Sequence, residues 1–210
     1  DEDKIDFVLW GDSHAAAFLP LIESIAKDNG LSGASFIAPA CTPISDTATD
    51  PVDHRCQKIK DLARQFIIEN KVENVILAAR WTGYRQFVLS ETSSEFKDLD
   101  KEEMAGLAFK LGLEKMIEEL NAQDVSVTII KQVPKHPEFD SRELTYKIVR
   151  RKDDVSLTNT TYAAHENELE KPHSMFEELY TQENRLNRSG SDLMSEKRRV
   201  SIRKRRCNFL

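Results

Sequence analysis

The chain has 210 residues, 40% hydrophobic and 31% charged, with a formal net charge of −6. That length allows one well-buried core, or one domain with a tail, and no stretch approaches the ~18 consecutive apolar residues that span a membrane. Residues 181–210 carry nine Lys/Arg against three Asp/Glu, so residues 1–180 sum to −12, and a body this acidic argues against broad nucleic-acid binding.

The apolar run Ile5–Trp10 has strand length and breaks at Gly11. Gly11-Asp12-Ser13-His14 then passes directly into an amphipathic helix over 14–29, closed by Asn29-Gly30. This layout predicts Ser13 at the carboxyl end of a strand and the amino end of a helix. Unpaired N–H groups there can stabilise an anion beside its hydroxyl. Asp12 can tie the turn together by accepting backbone N–H bonds. The alternative is an ordinary N-cap role for Asp12 or Ser13, without catalysis.

Ala34–Ala38 is the second predicted strand, and a loop over 39–55 follows, with Asp46, Asp50, Pro51 and Asp53 as turn formers. Cys41 and Cys56 flank it, fifteen positions apart. A disulfide between them would constrain the unfolded chain by about 3 kcal/mol and imply an oxidising compartment. Two unrelated buried thiols are the alternative. Neither cysteine has metal-ligand spacing, although His54 is near Cys56, so no metal site is expected.

Residues 57–70 repeat apolar groups at Ile59, Leu62, Ala63, Phe66 and Ile67, which is helical spacing. Val75–Ala79 is a continuous apolar strand, as in a parallel sheet covered on both faces. After Arg80-Trp81-Thr82-Gly83-Tyr84 and a polar excursion, a helix is predicted over 101–121 with Asp100 as N-cap. Val125–Ile130 is a fourth strand. Beyond Pro137 the pattern weakens; residues 161–180 read as helical, with Pro172 interrupting that helix or starting another. The domain is therefore set at 1–184 and a basic tail, irregular or disordered, at 185–210. Strands alternating with helices predict an α/β fold with a parallel sheet. Right-handed crossovers then bring Gly11–His14, Pro39–Pro43 and Arg80–Tyr84 to one sheet edge.

Gly11-Asp12-Ser13 after a first strand, in this α/β order, resembles the SGNH (GDSL-type) hydrolase superfamily. The fuller run Leu9–Ala15, with Pro39–Pro43 and Val75–Trp81, is similar to the SGNH domains fused to acyltransferase-3 membrane proteins, over about residues 5–135. The resemblance implies a three-layer α/β/α fold with a parallel, flavodoxin-like sheet. It also implies a periplasmic or extracytoplasmic domain, tethered to the inner membrane by an N-terminal acyltransferase-3 domain, that O-acylates cell-envelope polysaccharide or lipopolysaccharide. Ser13 becomes the acyl-accepting nucleophile, with its own N–H in the oxyanion hole. No bound cofactor is implied. The acyl donor is expected to supply an acetyl group drawn ultimately from acetyl-CoA.

Ordinary members of the superfamily place Gly-x-Asn-Asp where this chain reads Ala79-Arg80-Trp81. Arg80 can support a developing oxyanion, Trp81 and Tyr84 can wall a sugar site, and His14 can line the pocket. Equally, Arg80 can pair with an acid and Trp81 can pack in the core. Gly33 is a possible second-block glycine, although it precedes its strand. The superfamily's Asp-x-x-His is missing: Asp53 and His54 are adjacent, and His136, His165 and His173 have no Asp three positions earlier. The ending Arg206-Cys207-Asn208-Phe209-Leu210 resembles the segment just before that pair, so the chain is expected to stop short of its base. A carbohydrate esterase and a catalytically incomplete glycan-binding domain are the alternatives. A nucleotide-binding domain lacks its Gly-rich phosphate loop here. The basic runs Lys197–Arg199 and Arg203–Arg206 admit contact with anionic glycolipid, or a solvated face.

Overall fold

The apolar run at the amino terminus forms β1 (Phe7–Gly11), with Val8, Leu9 and Trp10 buried. The computed structural model describes residues 4–45, 54–86, 99–132 and 169–180, with short stretches at 48–49, 88–89, 145–146, 148–150, 163 and 167. In chain order, β1 is followed by α1 (Ser13–Asp28), β2 (Gly33–Ile37), β3 (Ala48–Thr49), α2 (His54–Glu69) and β4 (Asn74–Ala78). A 3₁₀ turn (Trp81–Gln86), β5 (Val88–Leu89), α3 (Lys101–Asn121) and β6 (Ser126–Ile130) come next. Residues 169–180 form α4.

Four strands make a parallel sheet in the order β2-β1-β4-β6. This is the flavodoxin-like order: the chain moves outward from β1 on one side and then crosses to the other. Alternate side chains serve the two faces. Val8, Trp10, Val75 and Leu77 pack with Ala63 and Ile67 of α2 and with Ala108, Phe109, Leu113 and Met116 of α3. Leu9 and Ala78 pack with Ala15 of α1, flanked by the half-buried Phe18, Leu19 and Ile22. The result is the expected three-layer α/β/α sandwich. β3 and β5, too short to show a periodicity, pair antiparallel in a separate ribbon.

The helix ends follow from local chemistry. Gly30, at φ +64°, reverses the chain after α1, and the N–H of Leu31 donates back to the carbonyl of Ala26 at 2.9 Å. α1 runs through Pro20, whose exposed position lets water satisfy the carbonyl that its ring leaves without a donor. At the start of α3 the Asp100 carboxylate accepts the N–H groups of Glu102 and Glu103, and Glu103 accepts the N–H of Asp100. That capping box accounts for the observed start at Lys101. α2 begins three residues before the predicted 57, because its first turn is polar and carries no apolar signal.

Cys41 and Cys56 form a disulfide, joining the segment after β2 to the first turn of α2. Both are buried, and the neighbouring Ser45 is held by its N–H to the carbonyl of Gly112 at 2.9 Å. In α4, Phe176 and Leu179 belong to the core on the α2–α3 side. The solvent-facing pairs Lys171–Glu102 and Lys131–Glu177 link it to α3 and to the exit of β6 and contribute little net stability.

Residues 133–170 make up a second compact unit. Its described residues include a short helical stretch, where the Arg150 guanidinium lies 5.1 Å from the ring centre of Tyr146. The expected tail 185–210, Cys207, His136, His165 and the side chains of His54 and Tyr84 lie outside the described residues.

Candidate active site

Because β1, β2 and β4 run parallel, the segments that follow them leave the sheet at one edge. The closest approach is at Gly11, whose register partner is Ala78. A Cβ at Gly11 would stand 1.7 Å from the Ala78 carbonyl oxygen, so a residue without a side chain is required there.

Asp12 follows and is 3% exposed. Its Oδ1 accepts the N–H of His14 at 2.7 Å, which makes it the N-cap of α1. Its Oδ2 accepts the N–H of Arg80 at 2.9 Å. One buried carboxylate thus ties the β1–α1 turn to the exit of β4. Ser13, the first residue of α1, is exposed. Among the described residues its N–H has no acceptor, whereas the N–H groups of His14 and Ala16 are taken by the Asp12 carboxylate and carbonyl. The geometry therefore places an accessible residue with a hydroxyl beside a backbone N–H left free at a helix start.

The remaining predicted residues divide. Arg80 is exposed, with its backbone N–H committed to Asp12 and its carbonyl accepting the N–H of Gly83. His14 is half-buried in the first turn of α1. Trp81 takes the packing alternative: it is 0% exposed, and its Nε1 donates to the carbonyl of Ile130 at 2.8 Å. Its ring meets Phe176 and Phe109 edge to face, with centroids 5.2 and 6.2 Å apart. A fully enclosed indole has no face left for a sugar, so the stacking-wall reading is corrected to core. Gly33 is corrected as well. It pairs with Phe7 at the amino-terminal end of the sheet, opposite the Ser13 edge. A cavity of about 270 Å³ under α1 is lined partly by Phe7, Leu31 and Gly33 and belongs to that far end too.

One feature of the edge carries no signal in the sequence. Gln132, just past β6, is 5% exposed, and its Oε1 accepts the N–H of Thr82 at 3.0 Å and the Thr82 hydroxyl at 3.3 Å. Trp81 and Thr82 together fasten the start of the 3₁₀ turn to the exit of β6. Among the described residues no cluster of His, Cys, Asp and Glu could hold a metal ion, and no helix is long and apolar enough to cross a membrane.

The fold agrees with what the chain is similar to. The periplasmic domain of a lipopolysaccharide acetyltransferase from Salmonella ser. Paratyphi A superposes with a TM-score of 0.52 at 12% identity, covering 82% of this chain and 64% of that one. The chain thus spans less than two thirds of that domain's length, and at this identity the likeness concerns the fold. No curated protein matches the sequence. The family model described as "SGNH domain (fused to AT3 domains)" matches residues 1–188. With the Gly-Asp-Ser turn at the carboxyl edge of a flavodoxin-like sheet, that match assigns this chain to the family of SGNH domains fused to AT3 domains.

Proposed function

We propose that the chain moves an acyl group, acetyl in the simplest case, onto a hydroxyl of cell-envelope polysaccharide or lipopolysaccharide through an ester on Ser13. The observation that carries this reading is the Asp12 carboxylate, which holds an exposed Ser13 hydroxyl and its acceptor-free N–H at one fixed edge. In the first step the Ser13 oxygen attacks the donor's carbonyl carbon. The Ser13 N–H takes the developing negative charge, and the donor's leaving group departs with a proton. In the second step a sugar hydroxyl attacks the serine ester, its proton is removed, and Ser13 regains a hydroxyl. The fusion named for this family and the name of the structural neighbour support a periplasmic setting, with an AT3 domain of the parent chain supplying the acyl group.

Labelling of the full chain with a fluorophosphonate, followed by peptide mapping, tests the nucleophile. Modification at Ser13, lost in Ser13→Ala, supports the proposal; an unmodified Ser13 in a chain that still binds glycan overturns it. An activated acetyl ester, with and without acceptor polysaccharide, separates transfer from hydrolysis by product: O-acetylated sugar against acetate. A second reading, a glycan-binding domain without turnover, is favoured by the absence of Asp-x-x-His from the sequence. It predicts binding without labelling.

A further inference from the structure

Ser13 lies two residues beyond Gly11, Arg80 two beyond Ala78, and Gln132 two beyond Ile130. Gly11, Ala78 and Ile130 are register partners across β1, β4 and β6, so the three residues leave the sheet at one level. With strands about 4.8 Å apart, the outer two exits are separated by roughly 10 Å, the scale of a disaccharide.

The chemistry of Gln132 is set by its partner. A backbone N–H can only donate, so the bond from Thr82 identifies the oxygen of the carboxamide and leaves Nε2, with both hydrogens, on the other branch. Among the described residues Nε2 has no partner, and it is not one of the unpaired atoms sealed from solvent. The residue is 5% exposed, and Nε2, without a protein partner among the described residues yet reached by solvent, is a donor held in place that a solute oxygen can accept from in exchange for water.

We infer that Gln132 is a specificity-determining residue of the acceptor subsite, its Nε2 donating to a hydroxyl or ring oxygen of the glycan bound beside Ser13. The identity of that ligand rests on the acyl-transfer reading. The donor's acyl group offers one carbonyl oxygen, which the Ser13 N–H engages. A donor at the far exit meets the acceptor instead, a ligand dense in oxygen acceptors. A site built to pair a sugar oxygen also disfavours analogues lacking it, because a ligand that covers the amide without accepting from it leaves Nε2 unpaired.

Gln132→Glu keeps an oxygen for the Thr82 N–H and removes both Nε2 donors. Binding is measured by calorimetry on the full chain carrying Ser13→Ala, with and without Gln132→Glu, using de-O-acylated polysaccharide of the producing cell as probe. A Kd raised about tenfold or more is expected, with the melting temperature retained; a change below about twofold overturns the inference. In the native chain labelled with ¹⁵N, the Gln132 side-chain amide resonances should move when the polysaccharide is added, and unmoved resonances overturn it too. Phosphonate labelling keeps the two readings apart. An unmodified Ser13 with Gln132-dependent binding removes acyl transfer and keeps the subsite, whereas a modified Ser13 with Gln132-independent binding does the reverse.

Discussion

The Asp12 carboxylate accepts the backbone N–H of Arg80 at 2.9 Å across 68 residues of chain, while capping α1 through His14 with its other oxygen. Removing it strands two N–H donors at a site where the parent side chain is 3% exposed. Asp12→Ala should lower unfolding free energy by about 2–4 kcal/mol, the range for losing a helix cap and a charge-assisted bond together. Asp12→Asn, which keeps one acceptor oxygen, should lose about half as much. Denaturant titration checks both values. Phosphonate labelling of Ser13 should slow by more than about tenfold in Asp12→Ala, since the serine's turn loses its fastening.

Where the fold was legible, the reason is periodicity. Val75–Ala79 and Ile5–Trp10 are apolar without interruption because both faces of those strands are covered, and the observed β1 and β4 lie within two residues of the prediction. Asp100 and Gly30 marked helix ends because their chemistry is local. Trp81 was ambiguous because an aromatic residue after a strand packs inward or faces a ligand with the same sequence signature. Only the approach of Phe109 and Phe176, from α3 and α4, decides it. Gln132 gave no signal because its partner, Thr82, is 50 residues earlier. The base for Ser13 was not legible because the motif that would carry it does not occur in the chain.

The Cys41–Cys56 bond closes a short loop, the two cysteines lying fifteen positions apart in sequence. Replacing both by serine should destabilise the chain by about 3 kcal/mol in the loop-entropy account. Reductant should shift the native chain's denaturation midpoint towards that of the double variant and leave the variant unmoved. Amide exchange should rise first at Cys41–Ser45, the buried segment that the bond anchors.

Gly11 and Gly83 make a matched pair for testing close approach. An added methyl group at Gly11 meets the Ala78 carbonyl oxygen at 1.7 Å, and neither backbone can swing aside as a side chain would. Gly11→Ala should therefore cost about 3 kcal/mol, with β1 and β4 forced apart. At Gly83 nothing lies within 4 Å of the added atom, and Gly83→Ala should stay within about 0.5 kcal/mol of the parent. Equilibrium unfolding of the two variants side by side provides the measurement.

Trp81 separates a packing role from a sugar-binding one. Its ring is fully enclosed, and its Nε1–H supplies the donor that the Ile130 carbonyl accepts. Trp81→Phe leaves that carbonyl without this donor and opens a small void, so it should cost about 2–3 kcal/mol in unfolding free energy. Polysaccharide affinity, measured well below the melting temperature, should stay within about twofold of the parent, since the indole presents no face to solvent. Both tryptophans of the chain, Trp10 and Trp81, are buried at 1% and 0% exposure, so native emission should be blue-shifted. It should not respond to added polysaccharide. A stacking wall would behave in the opposite way, with affinity falling tenfold or more, stability barely changed, and emission moving as the sugar covers the ring.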